Sequence, residues 1–200
     1  WHDLFCRTGE VCRVGDVNGD GRADLIAFRH GRNNTNSVWV GLSTGVGFAP
    51  AQRWHTRFCL QTEACEVADV TGDARADLIA FTLSPQHDVY VGRSIGTSFA
   101  QPALWSGFFC RSGEVCLTGD FNRDWEADVV AFNHGRGGAN AVFVGASTGA
   151  AFLPSAQVIT HFCTATETCA VGDVTGDMRA DVIAFTRGTT PQAWVSVSLP

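Results

Sequence analysis

The sequence predicts an all-β chain built from four copies of one unit, and three observations carry that prediction. A nine-residue acidic motif recurs four times, each copy running straight into an apolar stretch such as Leu25-Ile26-Ala27-Phe28 or Val182-Ile183-Ala184-Phe185. Eight cysteines fall as four pairs, one per unit, with five residues between partners. The first cysteines of the pairs, Cys6, Cys59, Cys110 and Cys163, stand 53, 51 and 53 residues apart. A fixed period of that length marks a repeat architecture.

Each unit opens on an aromatic stretch (Trp1–Cys6, Trp54–Cys59, Trp105–Cys110), with Val158 in place of tryptophan in the fourth. A cysteine loop and a short strand follow, ending at the first Asp of the acidic motif (Val11–Asp16 in the first unit). The second strand, Ala23–Phe28, is apolar almost throughout, which predicts burial on both faces. A loop that differs in every copy comes next, at 29–37, 82–88, 133–140 and 186–192, as an exposed connection would. The third strand reads Val38–Gly41, Val89–Gly92, Val142–Gly145 and Trp194–Val197. A Ser/Thr/Gly turn then leads to a fourth strand expected to contain Phe48, Phe99 or Phe152. Four short antiparallel strands in about 52 residues describe the blade of a β-propeller.

The expected units are 1–53, 54–104, 105–157 and 158–200, forming one domain. The last blade is incomplete, because the chain reaches Pro200 just after its third strand. Trp1–Phe5 matches only the tail of a fourth strand. A compact four-bladed ring is expected in preference to one half of a larger ring or an open stack.

The acidic motif carries the chemistry. Asp16, Asn18, Asp20 and Asp24 place oxygen-bearing side chains at positions one, three, five and nine, with Gly21 at position six. The other copies are Asp69, Thr71, Asp73, Asp77; Asp120, Asn122, Asp124, Asp128; and Asp173, Thr175, Asp177, Asp181. Hard cations such as calcium take about six to eight oxygen ligands, and a short loop supplies them by turning alternate side chains inward. Asx-rich turns also form simply to satisfy their own backbone. That explains one turn but not four in the same register. Ala74, Trp125 and Met178 replace Gly21 elsewhere, at a steric cost if the backbone is left-handed. Loop one is therefore expected to bind most tightly, and loop three, with Trp125 and Glu126, to be the most distorted.

The run G-D-x-N-G-D-G-x-A-D-L and the V-x-V-G strand after it resemble the FG-GAP/VCBS repeat family, and the resemblance extends over all four units. It implies β-propeller blades with calcium in the loop between the first two strands, so up to four ions. It also implies that position seven contributes its backbone carbonyl, which adds Arg22, Arg75, Glu126 and Arg179 to the ligand sets. The spaced cysteine pair is not part of the family pattern, and family propellers often have about seven blades.

Composition bounds the rest. Twelve of the twenty acids are the loop aspartates, and the other eight face fourteen arginines, with no lysine. Without cations the loop acids would repel one another, so metal is expected to matter for folding. No basic run suggests nucleic acid, and no apolar run approaches the roughly 20 residues needed to span a bilayer. Repeat symmetry favours local disulfides, Cys6–Cys12, Cys59–Cys65, Cys110–Cys116 and Cys163–Cys169, over zinc, whose usual spacings are absent. Disulfides imply an oxidising compartment and hence a secreted protein. Neither a signal peptide nor an initial Met is present, as in a mature or excised chain.

Binding is favoured over catalysis. Trp1, Trp54 and Trp105 recur at blade junctions, where they either wedge blades together or offer faces on which sugar rings stack. Trp39, Tyr90, Phe143 and Trp194 sit in mid-strand, where core is the expectation. His2, His55 and His161 lie near unit starts, and His30, His87 and His134 in variable loops, with no serine–histidine–aspartate set or zinc-protease motif. Glu10, Glu63, Glu114 and Glu167 each stand two residues before the second cysteine, a turn role. Asn33-Asn34-Thr35 is an N-glycosylation acceptor. The function read from this is recognition of a glycan or extracellular surface, in the manner of a lectin. The alternative is a structural subunit that assembles homo-oligomers or fibres through its incomplete blade edge.

Overall fold

The computed structural model describes residues 5–31 and 35–198, so Trp1, His2 and Asn33 lie outside the described residues. Four antiparallel sheets form the blades of a four-bladed β-propeller, with no α-helix among the described residues. Blade 1 is β1 (Val11–Gly15), β2 (Asp24–Phe28), β3 (Val38–Gly41) and β4 (Gln52–His55). Blade 2 is β5 (Glu63–Ala68), β6 (Asp77–Thr82), β7 (Val89–Gly92) and β8 (Ala103–Ser106). Blade 3 is β9 (Val115–Gly119), β10 (Asp128–Phe132), β11 (Val142–Gly145) and β12 (Ala156–Ile159). Blade 4 has three strands, β13 (Thr168–Gly172), β14 (Asp181–Phe185) and β15 (Ala193–Ser196). Each sheet is a simple meander.

The fourth strand lies later than expected. It is Gln52–His55, carrying Trp54, and not the stretch around Phe48. The tight turn after the third strand (Thr44 N–H to Gly47 carbonyl, 2.9 Å) leaves Phe48 in an isolated bridge with Ser43. In blades 2 and 3 the equivalent phenylalanine packs onto the tryptophan of the preceding blade. The ring centroids are 5.5 Å apart for Trp54–Phe99 and 5.3 Å for Trp105–Phe152.

Strand alternation sends successive side chains of each blade towards its two neighbours. Ile26, Phe28, Val38 and Val40 of blade 1 pack on Cys65, Leu78 and Ala80 of blade 2. Ile79, Phe81, Val89 and Val91, on the other face of blade 2, pack on Cys116, Val129 and Ala131 of blade 3. Val130, Phe132 and Val142 meet Val182 and Ala184 of blade 4. Phe28, Phe81 and Phe132 are fully buried, each contributing about 1.5–3 kcal/mol. The apolar second strands are thus buried on both faces in blades 2 and 3, as their sequence predicted.

One junction chemistry is repeated. The Ala76 N–H donates to the Asp16 carbonyl (2.6 Å), Ala127 to Asp69 (2.7 Å) and Ala180 to Asp120 (2.6 Å). Gly15 is required at the first junction, because a Cβ there would stand 2.8 Å from Val67 Cγ1 and 2.9 Å from Ala76 Cβ. Gly119 plays the same part at the third, against Val171 and Ala180. Among the described residues three core clusters join consecutive blades, and none of the three joins blade 4 to blade 1. The outward faces of the two end blades keep Val14, Val174, Phe185, Val195 and Val197 exposed.

Candidate metal loops and ligand clefts

Each acidic loop is wound around its first aspartate. Asp16 Oδ1 accepts the N–H groups of Gly19 (2.7 Å) and Asp20 (3.2 Å), while Oδ2 accepts that of Gly21 (2.6 Å). Asp69, Asp120 and Asp173 repeat the pattern. Asp20 and Asp124 receive the side-chain amides of Asn18 and Asn122, and Asp20, Asp73, Asp124 and Asp177 each accept the position-seven N–H. The ninth aspartates, Asp24, Asp77, Asp128 and Asp181, are fully buried. Asp24 joins its loop to the turn beyond β3 by accepting the N–H groups of Val17 (3.1 Å) and Ser43 (2.7 Å).

Position six takes the left-handed backbone in every loop: Gly21 at φ 80°, Ala74 at 64°, Trp125 at 70° and Met178 at 68°. Loop three carries a second such residue, Arg123 at φ 66°, where the other loops have glycine.

The electrostatics follow from the burial. Desolvation raises the Asp24 carboxyl above its ordinary value, Asp77 to about 7 and Asp128 to about 6, with the neighbouring loop acids adding to the rise. Asp20, at the exposed end of the loop, is instead lowered, first by the Asn18 amide. The donor set, oxygen throughout, fits a hard divalent cation that would offset this crowding. Arg22 pairs with Asp20 (2.5 Å) and Arg75 with Asp73 (2.5 Å). Among the described residues, three His, Cys, Asp or Glu ligand atoms draw within 4.8 Å of one another in only two places, and neither is an acidic loop.

Those two places are ones the sequence did not reveal. His30 reaches the disulfide of the next blade, its Nε2 2.8 Å from Cys65 Sγ, and His134 stands likewise beside Cys163–Cys169. The partners are distant in sequence, and only stacking of consecutive blades brings them together. All four local disulfides are formed, with no free cysteine. Glu10, Glu63, Glu114 and Glu167 close the cysteine loops by accepting an N–H from three residues back (2.6–2.8 Å), the turn role expected of them.

Of the two parts open to the unit-opening tryptophans the structure gives Trp54 and Trp105 the wedge, while the mid-strand aromatics depart from the core expected of them. Trp54 and Trp105 are only 7% and 6% exposed, wedged in the junction cores, so neither offers a sugar-stacking face. Trp39, Tyr90 and Phe143 are half-buried instead, and Trp194 is 53% exposed. They pair in register with Ala27, Ala80, Ala131 and Ala184, whose small side chains leave the aromatic rings outside the core.

Two clefts result, in equivalent positions on blades 2 and 3. The first, about 300 Å³, is lined by His55, Thr56, Arg57, Tyr90, Gln101 and Pro102, among others. The second, about 110 Å³, is lined by Phe108, Arg111, Asn133, Phe143 and Ser155, among others. His55 distinguishes the larger. Its Nδ1 accepts the Arg57 N–H (3.1 Å), which puts the ring proton of the neutral imidazole on Nε2. Burial lowers the His55 pKa and so favours that neutral form. The residue is 5% exposed, and its Nε2 has no hydrogen-bond partner.

Residues 16–80 match the model of the FG-GAP-like repeat. No curated protein matches the chain. Among solved structures, the fold is similar to that of an Agrocybe aegerita lectin, described for its specific recognition of non-reducing terminal N-acetylglucosamine. That similarity has a TM-score of 0.71 and 24% identity, covering 96% of this chain and 50% of the lectin chain. It is also similar to part of a mutant Tc holotoxin pore from Photorhabdus luminescens, with TM-score 0.68 and 19% identity, over 92% of this chain and 9% of the other. The chain therefore spans half the length of the lectin it matches. Among the described residues no helix is long and apolar enough to cross a membrane.

Proposed function

We propose that this propeller is an extracellular, calcium-stabilised module that binds carbohydrate in the cleft of blade 2. The observation that carries the reading is a cleft of about 300 Å³ that sets a half-buried tyrosine ring beside His55, Thr56 and Gln101. Sugars pair hydroxyls with an apolar ring face, so Tyr90 supplies the complementary surface, and Gln101 and Thr56 supply further polar groups at the rim. The likeness to a lectin fold supports the same class of ligand.

Calcium would be held by Asp16, Asn18, Asp20, Asp24 and the Arg22 carbonyl, and by their counterparts in the other loops. It would neutralise the buried acids at the blade junctions and take no part in chemistry. The four disulfides support an oxidising compartment. The reading is one of recognition without catalysis.

The test is a glycan array probed with unreduced protein, followed by titration calorimetry on the best ligand. Tyr90→Ala and His55→Phe should each weaken binding by about tenfold, the loss of one interaction of about 1.4 kcal/mol. Phe143→Ala, in the smaller cleft, should leave it unchanged. Binding that survives both blade 2 variants, or no binding across the array, would overturn the proposal.

A further inference from the structure

The three internal junctions share one backbone hydrogen bond, the first and third also a glycine pocket and the first and second a serine contact, and the two outward faces carry unused halves of these contacts. Where Gly15 and Gly119 receive Val67 with Ala76 and Val171 with Ala180, the equivalent Gly172 on β13 has no atom within 4 Å of the place its Cβ would occupy. Blade 1 holds the matching pair, Val14 (64% exposed) and Ala23 (exposed). Blade 4 therefore has the hole without the knobs, and blade 1 the knobs without the hole.

The polar contacts tell the same story. The Ala76, Ala127 and Ala180 N–H groups each reach the first loop carbonyl of the preceding blade, and no such bond joins Ala23 to Asp173. Ser94 Oγ donates to the Val17 carbonyl (2.5 Å) and Ser147 Oγ to the Val70 carbonyl (2.7 Å). The corresponding pair would be Ser43 and Val174. Val174, Phe185 and Val195 are 53%, 41% and 45% exposed, whereas their counterparts Val17, Phe28 and Val40 are 0%, 0% and 1%. On blade 1, Val14, Leu25 and the Cys6–Cys12 disulfide line a concavity of about 610 Å³.

We propose that these faces are an interface between two copies of this chain. The outward face of blade 4 takes the outward face of blade 1 of the second copy, by the same contacts that join consecutive blades within one chain. A two-fold axis makes both junctions at once, so the pair closes. The inference is independent of the carbohydrate reading and differs from pairing at the β15 edge.

Sedimentation velocity on the unreduced chain, across about a hundredfold range of concentration, tests it by mass action. A two-chain species is expected. Val14→Asp and Gly172→Val should each yield folded single chains, because neither position is packed within one copy. An equimolar mixture of the two variants retains one unmodified junction per pair and should regain a two-chain species. Single chains of the unmodified protein at every concentration would overturn the proposal. So would an open-ended series of assemblies, or assembly that resists either variant, since pairing of like faces would lose only one of the two.

Discussion

Gly119 and Gly172 end the first strands of consecutive blades, yet their surroundings could hardly differ. A side chain on Gly119 would run into Val171 and Ala180, while one on Gly172 would enter open space. The same contrast separates Phe28, which is fully buried, from Phe185, which is 41% exposed. The repeat therefore encodes a junction as well as a blade, and the cost of a residue depends on whether its junction is made.

Loops one to three stand over made junctions, through the Asp16, Asp69 and Asp120 carbonyls, and loop four does not. If each loop holds calcium, a free ion concentration of 100 times Kd stabilises by about 2.7 kcal/mol per loop. Thermal melts in calcium and in chelator should show that loss. Asp20→Asn should then cost more global stability than Asp177→Asn, because only the first loop holds two blades together. The chelated protein also has a defined pH dependence. The folded values of Asp77 and Asp128, about 7 and about 6, lie above the unfolded value of 3.8, so the folded state binds these protons more tightly. Their stability contribution is fully present below pH 3.8 and is lost as pH rises through 6 to 7. Metal-free protein should therefore melt lower at pH 8 than at pH 5.

Gly119→Val should destabilise by about 1–3 kcal/mol in urea unfolding, the usual cost of overpacking. Gly172→Val should leave the single chain unaffected, and an equal loss in both would remove the distinction between them. The smallest effect expected is at Trp125, 69% exposed and held at φ 70°. Trp125→Gly should stabilise by about 1 kcal/mol by relieving the left-handed strain.

Much of this was legible in the sequence because it is local. The acidic loops, the cysteine loops and their glutamates, and the three inner strands of each blade are set by residues within a few positions of one another. What was not legible depends on which face a strand presents. Val38-Trp39-Val40 alternates, and the structure sends the valines to the junction and the tryptophan over Ala27. That alternation was the available signal for the exposed aromatics. The burial of Trp54 needed Phe99, from the next blade, and the contact of His30 with Cys65 needed two blades stacked. The open ends are a property of the whole stack, invisible in any one unit.

The most direct test of that account is amide hydrogen exchange on the Gly172→Val chain. Ala76, Ala127 and Ala180, whose N–H groups cross made junctions, should exchange slowly, and Ala23 should exchange fast. Slow exchange at Ala23 in this single chain would mean that one chain closes on itself, and would contradict the account.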